Sequence, residues 1–473
     1  MRNYIVGSIL LVAACATNPV TGKSQLSLVS ESQEIEMGRG ELARAKQETG
    51  FIADAALEQY VASIGKQMAA ASERPNLPWE FHVLDDPMVN AFAAPGGFVF
   101  VTRGILTYLN SEAELAAVLG HEIGHVTAKH TVAMISQQQL AQVGLIAGSI
   151  AAPDAANGIA GQIAGAATSL YFLKFSRNDE SQADQLGHRY SLMQGYDVRE
   201  MPNTFRTLER LAAVTGSGGT PSFLSTHPDP GSRVQKTQAW ADTVSNPSRL
   251  HSDRDRFLNR IDGLVFGADP EQGYFEGGYF LHPTLRFRFA VPQGWQTLNQ
   301  LTQVVMAEPN GQAQVSLTPS QQTSASAAAQ AFLAQQGITS AGAQRTTVNG
   351  LPAVAADFTA TTQQGQALRG TVVFVEYGGS VYQFLGIALA SAWSQQGGTI
   401  SQVLRSFGPT PAGQQFQRRK YLKVVTLSRN TSVATLAQQS DGAVTAQQLA
   451  IINGVADGAS IPAGRRVKTV VYR

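Results

Sequence analysis

Residues 118–130 read VLGHEIGHVTAKH. Two histidines, His121 and His125, bracket Glu122. On a helix, positions four apart lie on one face about a turn apart, so both imidazoles can aim a ring nitrogen at one ion. Glu122 sits one residue further round and can reach a metal-bound water. Just upstream, Ser111 and Glu114 have the form of a capping box that opens a helix. The stretch therefore predicts a metal centre built on a capped helix.

Two histidines do not complete such a site. Zinc in hydrolases usually takes three protein ligands and keeps a fourth position for water. A third histidine on the pattern HExxHxxGxxH is excluded, because Ala128 stands at its glycine position and Thr131 at its histidine position. At 100° per residue His130 falls about 140° round the helix from His125. It is expected to face away, as a polar or packing histidine. The other route is a carboxylate on a second helix, and SRNDESQADQLGH (176–188) supplies it. Glu180 and Asp184 are again four apart, on one face. One can bind the metal while the other holds a ligand histidine by its second ring nitrogen. Glu180 is assigned as the ligand and Asp184 as the acceptor from His121. Asp179 reads as a helix-start residue, and His188 lies a further turn down the same side. Two histidines and a carboxylate suit one Zn2+ per chain.

The chain has 473 residues, which predicts two or three domains. Hydrophobic residues make up 43% and charged residues 15%, a globular composition. Net charge is +1 and no long basic run occurs, so nothing points to nucleic acid. Cys15 is the single cysteine, which excludes an internal disulfide. It closes MRNYIVGSILLVAAC, a basic residue followed by an apolar run too short to span a bilayer. Residues 1–14 are expected to be a signal peptide. Val12-Ala13-Ala14-Cys15 resembles the lipobox of bacterial lipoproteins, which implies lipidation at Cys15 and a membrane anchor. Ala16, rather than aspartate, favours the outer membrane, with the protein on the periplasmic side.

Residues 15–30 read as a tether, and helical periodicity runs from Glu31 to about Ala71. WEFHVLDD (79–86) reads as a strand, and NAFAAPGGFVFVTRG (90–104) as two strands around a turn. A second long helix is expected over 177–194, stopped by Gly195. The apolar stretch 143–173 is broken by Pro153, Asp154 and Asn157, so each half is too short to cross a membrane. Buried helices or a flap beside the site are expected there. Residues 246–275 read as a polar linker. Residues 276–410 are mostly short strands with hairpin signals at Asn349-Gly350 and Gly378-Gly379. Helical runs near 323–336 and 397–407 complete an α+β pattern. A last piece, 416–473, follows a second linker.

HExxH, NDESQAD (178–184) and STHPDPGSRV (225–234), with NAFAAPGGFVFVTRGIL (90–106) ahead of them, together resemble the M48 peptidases, gluzincin-type zinc metallopeptidases. The resemblance covers roughly residues 30–245. It implies His121, His125 and Glu180 as zinc ligands and Glu122 as the catalytic carboxylate. It implies that the strand around Asn90, Ala91 and Phe92 borders the cleft, where an extended polypeptide could add by backbone pairing. It also brings His227 to the site, to steady an oxyanion or to occupy the open coordination position and keep the enzyme latent. Arg233 is a supporting candidate.

The expected fold class is multidomain: a mainly α (α+β) zincin-type peptidase domain over 31–245, an α+β domain over 276–410 and a LysM-like module over 416–473. The module's Arg429-Asn430-Thr431 stands where the LysM family has Gly-Asp-Thr, so peptidoglycan is a conditional partner. The middle domain resembles PsbP-like domains. The expected function is a zinc endopeptidase in envelope protein quality control, acting on misfolded, misassembled or mislocalised envelope proteins. A lipoprotein chaperone or assembly factor with a largely latent zinc site is the alternative. A zinc hydrolase of a non-peptide substrate is a third.

Overall fold

The structure is a computed structural model that describes residues 15–149, 174–215, 223–228, 230–362 and 365–473. The expected leader, 1–14, and most of the apolar stretch 143–173 lie outside the described residues. Among the described residues no helix is long and apolar enough to cross a membrane.

The segment expected to be a tether forms a hairpin, β1 (Cys15–Thr17) with β2 (Ser24–Leu26). It does not run free. Asn18 Nδ2 donates to the Ala128 carbonyl at 3.0 Å, and Leu28 N donates to Ser136 Oγ at 3.0 Å. Ala128 O is a carbonyl left open at a helix end and Ser136 Oγ is a side-chain hydroxyl, and neither partner is visible in the segment's own sequence.

Helices α1 (Glu31–Glu48) and α2 (Ala55–Ala70) start at Ser30, which forms a full capping box with Gln33, and at Asp54. Strands β3 (Glu80–Leu84), β4 (Ala91–Ala94) and β5 (Phe98–Thr102) make a sheet in the order β3-β5-β4. All of β4 and β5 is buried, which accounts for their unbroken apolar letters. After α3 (Arg103–Tyr108) comes α4 (Glu112–Thr127), every residue of which is buried. Ser111 caps it by accepting from Glu114 N, while the Glu114 carboxylate accepts from Asn110 N, so the expected box is half formed. Then follow α5 (His130–Ser149), α6 (Arg177–Met193), α7 (Met201–Thr215), α8 (Phe223–Thr226) and α9 (Pro230–Ala241).

Helices α4 and α6 touch backbone to backbone. A Cβ on Gly120 would lie 2.9 Å from Gly187 Cα, and one on Gly187 would lie 2.9 Å from His121 N. Only hydrogen fits at both positions. This approach brings the carboxylates of α6 within reach of the histidines of α4.

The expected linker 246–275 differs from expectation. It contains α10 (Arg254–Ile261), whose Phe257, Leu258 and Ile261 are buried in the same apolar cluster as α2 and α4. The charged letters around them occupy the other face and made the segment look solvated. The middle domain has an eight-stranded antiparallel sheet with separate apolar clusters. Its hairpins turn at Asn349-Gly350 and Gly378-Gly379, all four residues with positive φ. The C-terminal segment pairs strands Lys420–Thr426 and Arg466–Tyr472 around two short helices. Leu422, Val433, Leu449, Ile452 and Val467 belong to the cluster of α2 and α4. The chain thus leaves its first core, builds the middle domain, and returns. Arg419 Nε donates to Asp269 Oδ1 at 2.6 Å where the two crossings meet.

Candidate metal centre

Helix α4 presents His121 and His125 one turn apart, α6 presents Glu180, and the residue after α8 is His227. His121 Nε2 lies 3.0 Å from His125 Nε2 and 3.2 Å from His227 Nδ1. Glu180 Oε1 lies 2.9 Å from His227 Nδ1 and 3.5 Å from His125 Nε2. One ligand atom from each residue falls within 4.8 Å of the others, and all four side chains are buried. Three imidazole nitrogens and a carboxylate oxygen converging out of water form a donor set suited to a divalent zinc-like ion. Such a packing of lone pairs favours a shared cation.

His227 is set by its own turn. His227 N donates to Phe223 O at 2.8 Å, and Phe223 N donates to Val89 O at 2.7 Å, next to β4. Its ring stacks on Phe223 with centroids 4.2 Å apart.

His121 Nδ1 lies 2.8 Å from Asp184 Oδ1. Arg233 grips that carboxylate from the other side, Nε to Oδ2 at 2.8 Å and Nη2 to Oδ1 at 2.6 Å, and its Nη1 is 2.9 Å from Glu180 Oε2. Its guanidinium lies over the Phe205 ring, 4.1 Å from the centroid. Burial opposes ionisation of both acids, yet Arg233 and His121 hold Asp184 below the usual carboxylate range. His227 and Arg233 likewise hold Glu180 well below it. Burial, with Arg233's charge, brings His121 down to about 3, so both α4–α6 partners keep the charge states a metal requires.

Both oxygens of the Glu122 carboxylate are buried without a hydrogen-bond partner among the described residues. His227 Nε2 is 3.6 Å from Glu122 Oε1. Burial pushes the Glu122 carboxyl up to about 8, with Glu180's charge adding to the rise and His125's opposing it.

The expectation for His130 is overturned. The 100° step does not apply to it, because α4 ends at Thr127 and Lys129 adopts φ of 60°. The chain turns back, and His130 Nδ1 lies 3.0 Å from His125 Nδ1. Phe175, which the sequence did not single out, covers the His125 ring with centroids 3.9 Å apart. Asp179 is the N3 residue of a capping box with Ser176, and His188 packs on Trp240, outside the cluster.

Asn90, Ala91 and Phe92 lie at the start of β4, which pairs only with β5 among the described strands. The Phe92 ring stacks on Phe100, and Ala91 packs in the main core. Asn90 and all four residues of β4 are buried. Asn90 Nδ2 is buried without a partner among the described residues, while Asn90 Oδ1 accepts from Ala91 N.

Comparison with known proteins then gives a family. Peptidase family M48 matches residues 55–241. The beta-barrel assembly-enhancing protease of Yersinia pestis is 31% identical over 260 residues, covering 53% of this chain and 52% of that protein. The mitochondrial metalloendopeptidase OMA1 of Schizosaccharomyces pombe is 36% identical over 184 residues, covering 38% of this chain and 52% of that protein. The chain spans about half the length of the curated relatives it matches. Among solved structures, cyanobacterial PsbP from Synechocystis is 13% identical and covers 29% of this chain and 98% of that one. Its TM-score is 0.24, too low to define a shared fold. On the family match and the relatives together, residues 55–241 of this chain are similar to peptidase family M48.

Proposed function

We propose that the chain is a zinc-dependent endopeptidase of the bacterial cell envelope, acting on misfolded or mislocalised envelope proteins. The observation that carries this is the convergence of His121, His125, Glu180 and His227 beside an unpartnered Glu122 inside an M48 segment. His121, His125 and Glu180 would hold one zinc ion. Asp184 fixes the His121 ring, and Arg233 balances the charge of Asp184 and Glu180.

A zinc ion held there would supply Lewis-acid chemistry. Glu122 takes a proton from the attacking water and delivers it to the leaving amine. Its carboxylate is free of competing hydrogen bonds among the described residues, which leaves both oxygens available for that transfer. An extended substrate lies alongside β4, in a cleft bordered by Asn90, Ala91 and Phe92. His227, with Nδ1 inside the cluster, would compete with water for the ion in a resting state. Turned outward, it is placed to donate to the oxyanion.

The relatives named as beta-barrel assembly-enhancing proteases support an envelope setting and protein substrates. A lipid at Cys15 would anchor the chain to the outer membrane on its periplasmic side. The 416–473 module acts as part of the peptidase core in this reading, and peptidoglycan binding is not required of it. The second reading, an assembly factor with a latent site, is favoured by one observation: His227 already lies among the metal-type ligands.

Metal content and cleavage of casein, with and without a chelator, test the proposal. Bound zinc with cleavage lost on chelation and restored by zinc is the expected result. Zinc with no cleavage but persistent retention of unfolded clients would favour the assembly factor. Absence of zinc from the purified chain would remove the basis of both.

A further inference from the structure

A metal-ligating histidine usually donates its second ring N–H to a fixed acceptor, which sets tautomer and ring angle. The two α4 histidines have different partners for this. His121 Nδ1 faces the Asp184 carboxylate at 2.8 Å. His125 Nδ1 faces an imidazole, His130 Nδ1, at 3.0 Å. His125 Nε2 is turned the other way, into the cluster, 3.5 Å from Glu180 Oε1.

Two imidazole nitrogens at this distance share one proton, so one donates and the other accepts. If His125 gives the Nε2 lone pair to a metal, its proton sits on Nδ1 and that nitrogen donates. His130 Nδ1 must then accept, and the His130 proton sits on Nε2. That nitrogen lies 2.9 Å from Gln182 Oε1, an acceptor. Donors and acceptors alternate correctly from His125 to Gln182.

The turn that aims His130 is held on several sides. Arg74 Nη1 donates to Val126 O at 3.1 Å, Asn18 Nδ2 to Ala128 O at 3.0 Å, and Gln25 Nε2 to Lys129 O at 3.3 Å. Lys129 Nζ pairs with Glu34 at 2.7 Å. Elements from the N-terminal hairpin, α1 and the α2–β3 connection all fix one reversal of direction. The result is a buried His130 ring against the back of a ligand.

We propose that His130 is a positioning residue for the metal centre: it accepts from His125 Nδ1 and keeps His125 Nε2 aimed at the ion. This rests on the metal-site reading above. His130 touches neither ion nor substrate. It takes the place at His125 that Asp184 takes at His121, with a neutral ring in place of a carboxylate.

The test is zinc affinity by chelator competition at fixed pH, on the full chain. Three variants are compared with wild type: His130→Leu, His130→Asn and Gln182→Leu. In His130→Asn an amide oxygen can stand where Nδ1 stood and still accept, whereas His130→Leu fills the space without an acceptor. His130→Leu should weaken zinc by about 10–100-fold, with His130→Asn close to wild type. The visible spectrum of the cobalt-substituted protein should change in His130→Leu and be restored in His130→Asn. Equal affinity and equal spectra in His130→Leu and wild type would overturn the role, as would equal weakening in Leu and Asn variants. If His130→Leu does not fold, Gln182→Leu decides: a several-fold loss of affinity supports the relay, and no loss overturns it. His121→Ala separates this from the site itself. Zinc binding unaffected by that change would refute the ligand set and the positioning role together.

Discussion

Lys468, in the last strand of the chain, donates from Nζ to the backbone oxygen of Leu109 at 2.6 Å, just ahead of the metal helix. The same nitrogen donates to Thr107 O at 2.9 Å. The side chain is fully buried, and burial holds its amine well below the usual lysine range. Nearby Glu114, in the first turn of α4, is pushed up to about 8 by burial and by the charge of Glu200. The C-terminal segment is therefore part of the scaffold that carries the metal site.

Lys468→Met should leave two buried carbonyls without donors. A loss of about 2–4 kcal/mol is expected, since each unsatisfied buried group costs about 1–3 kcal/mol. Chemical denaturation of the full chain measures it. A midpoint equal to wild type would mean that the strand is not anchored through this amine.

Gly187→Val should separate α4 from α6, because a Cβ there meets His121 N at 2.9 Å. Overpacking of this kind costs about 1–3 kcal/mol. Zinc affinity should fall further than stability, because Glu180 and Asp184 retreat from His121 and His125. A folded variant that binds zinc like wild type would count against the close approach as the device that assembles the site.

Glu122→Gln should keep zinc stoichiometry and reduce casein cleavage by about 10²–10⁴-fold. The amide is nearly isosteric but cannot accept the water's proton. Cleavage at wild-type rate with the same metal dependence would assign the proton transfer elsewhere.

His227→Ala should raise basal cleavage several-fold while zinc remains bound. Its Nδ1 competes for the centre from 2.9 Å off Glu180, and removing it enlarges the competent fraction. A fall in rate with unchanged KM would instead point to oxyanion stabilisation as its main contribution.

In metal-free protein the buried neutral rings of His121 and His130 should each contribute less stability in mild acid, opposite in sign to Glu122 and Glu114, whose carboxyls are raised to about 8. Burial, with Arg233's charge, holds His121 down to about 3, and burial, with His125's charge, holds His130 down to about 4. Both lie below the value of about 6.5 expected in the unfolded chain. The unfolded state therefore takes up protons first. Their contribution is full above about pH 6.5 and falls as pH drops towards 4 and then 3. At pH 5 the loss is on the order of 2 kcal/mol per histidine. Urea midpoints of chelator-treated wild type and His130→Asn at pH 7.5 and 5 isolate the histidine share, and an equal pH dependence in the two would contradict neutral burial of the His130 ring.

The α4 motif and its partner carboxylates were legible from spacing alone. His121 and His125 sit four apart on a capped helix, and so do Glu180 and Asp184 on another. Period, capping and turn chemistry are local, so a short window carries them. Strands β3 to β5 and the two-residue hairpins were legible for the same reason. His130 was not, because its direction depends on Lys129 entering the left-handed region, and that is stabilised by Asn18 and Gln25 from more than a hundred residues away.

The sequence by itself determined which chemistry is available: two imidazoles, a base and two carboxylates on helical faces, with His227 and Arg233 entering through family resemblance. Tertiary structure decided how those groups meet. The glycine contact between α4 and α6 sets the reach of Glu180, Arg233 balances two buried acids, and His227 lies inside the cluster. It also decided that α10 and the C-terminal strands share the core of the metal helix. Apolar letters state that a face will be buried, because leaving water is favourable wherever it occurs. They do not state which distant face will cover it, since the hydrophobic effect has no direction and the partner is chosen by the fit of the whole chain.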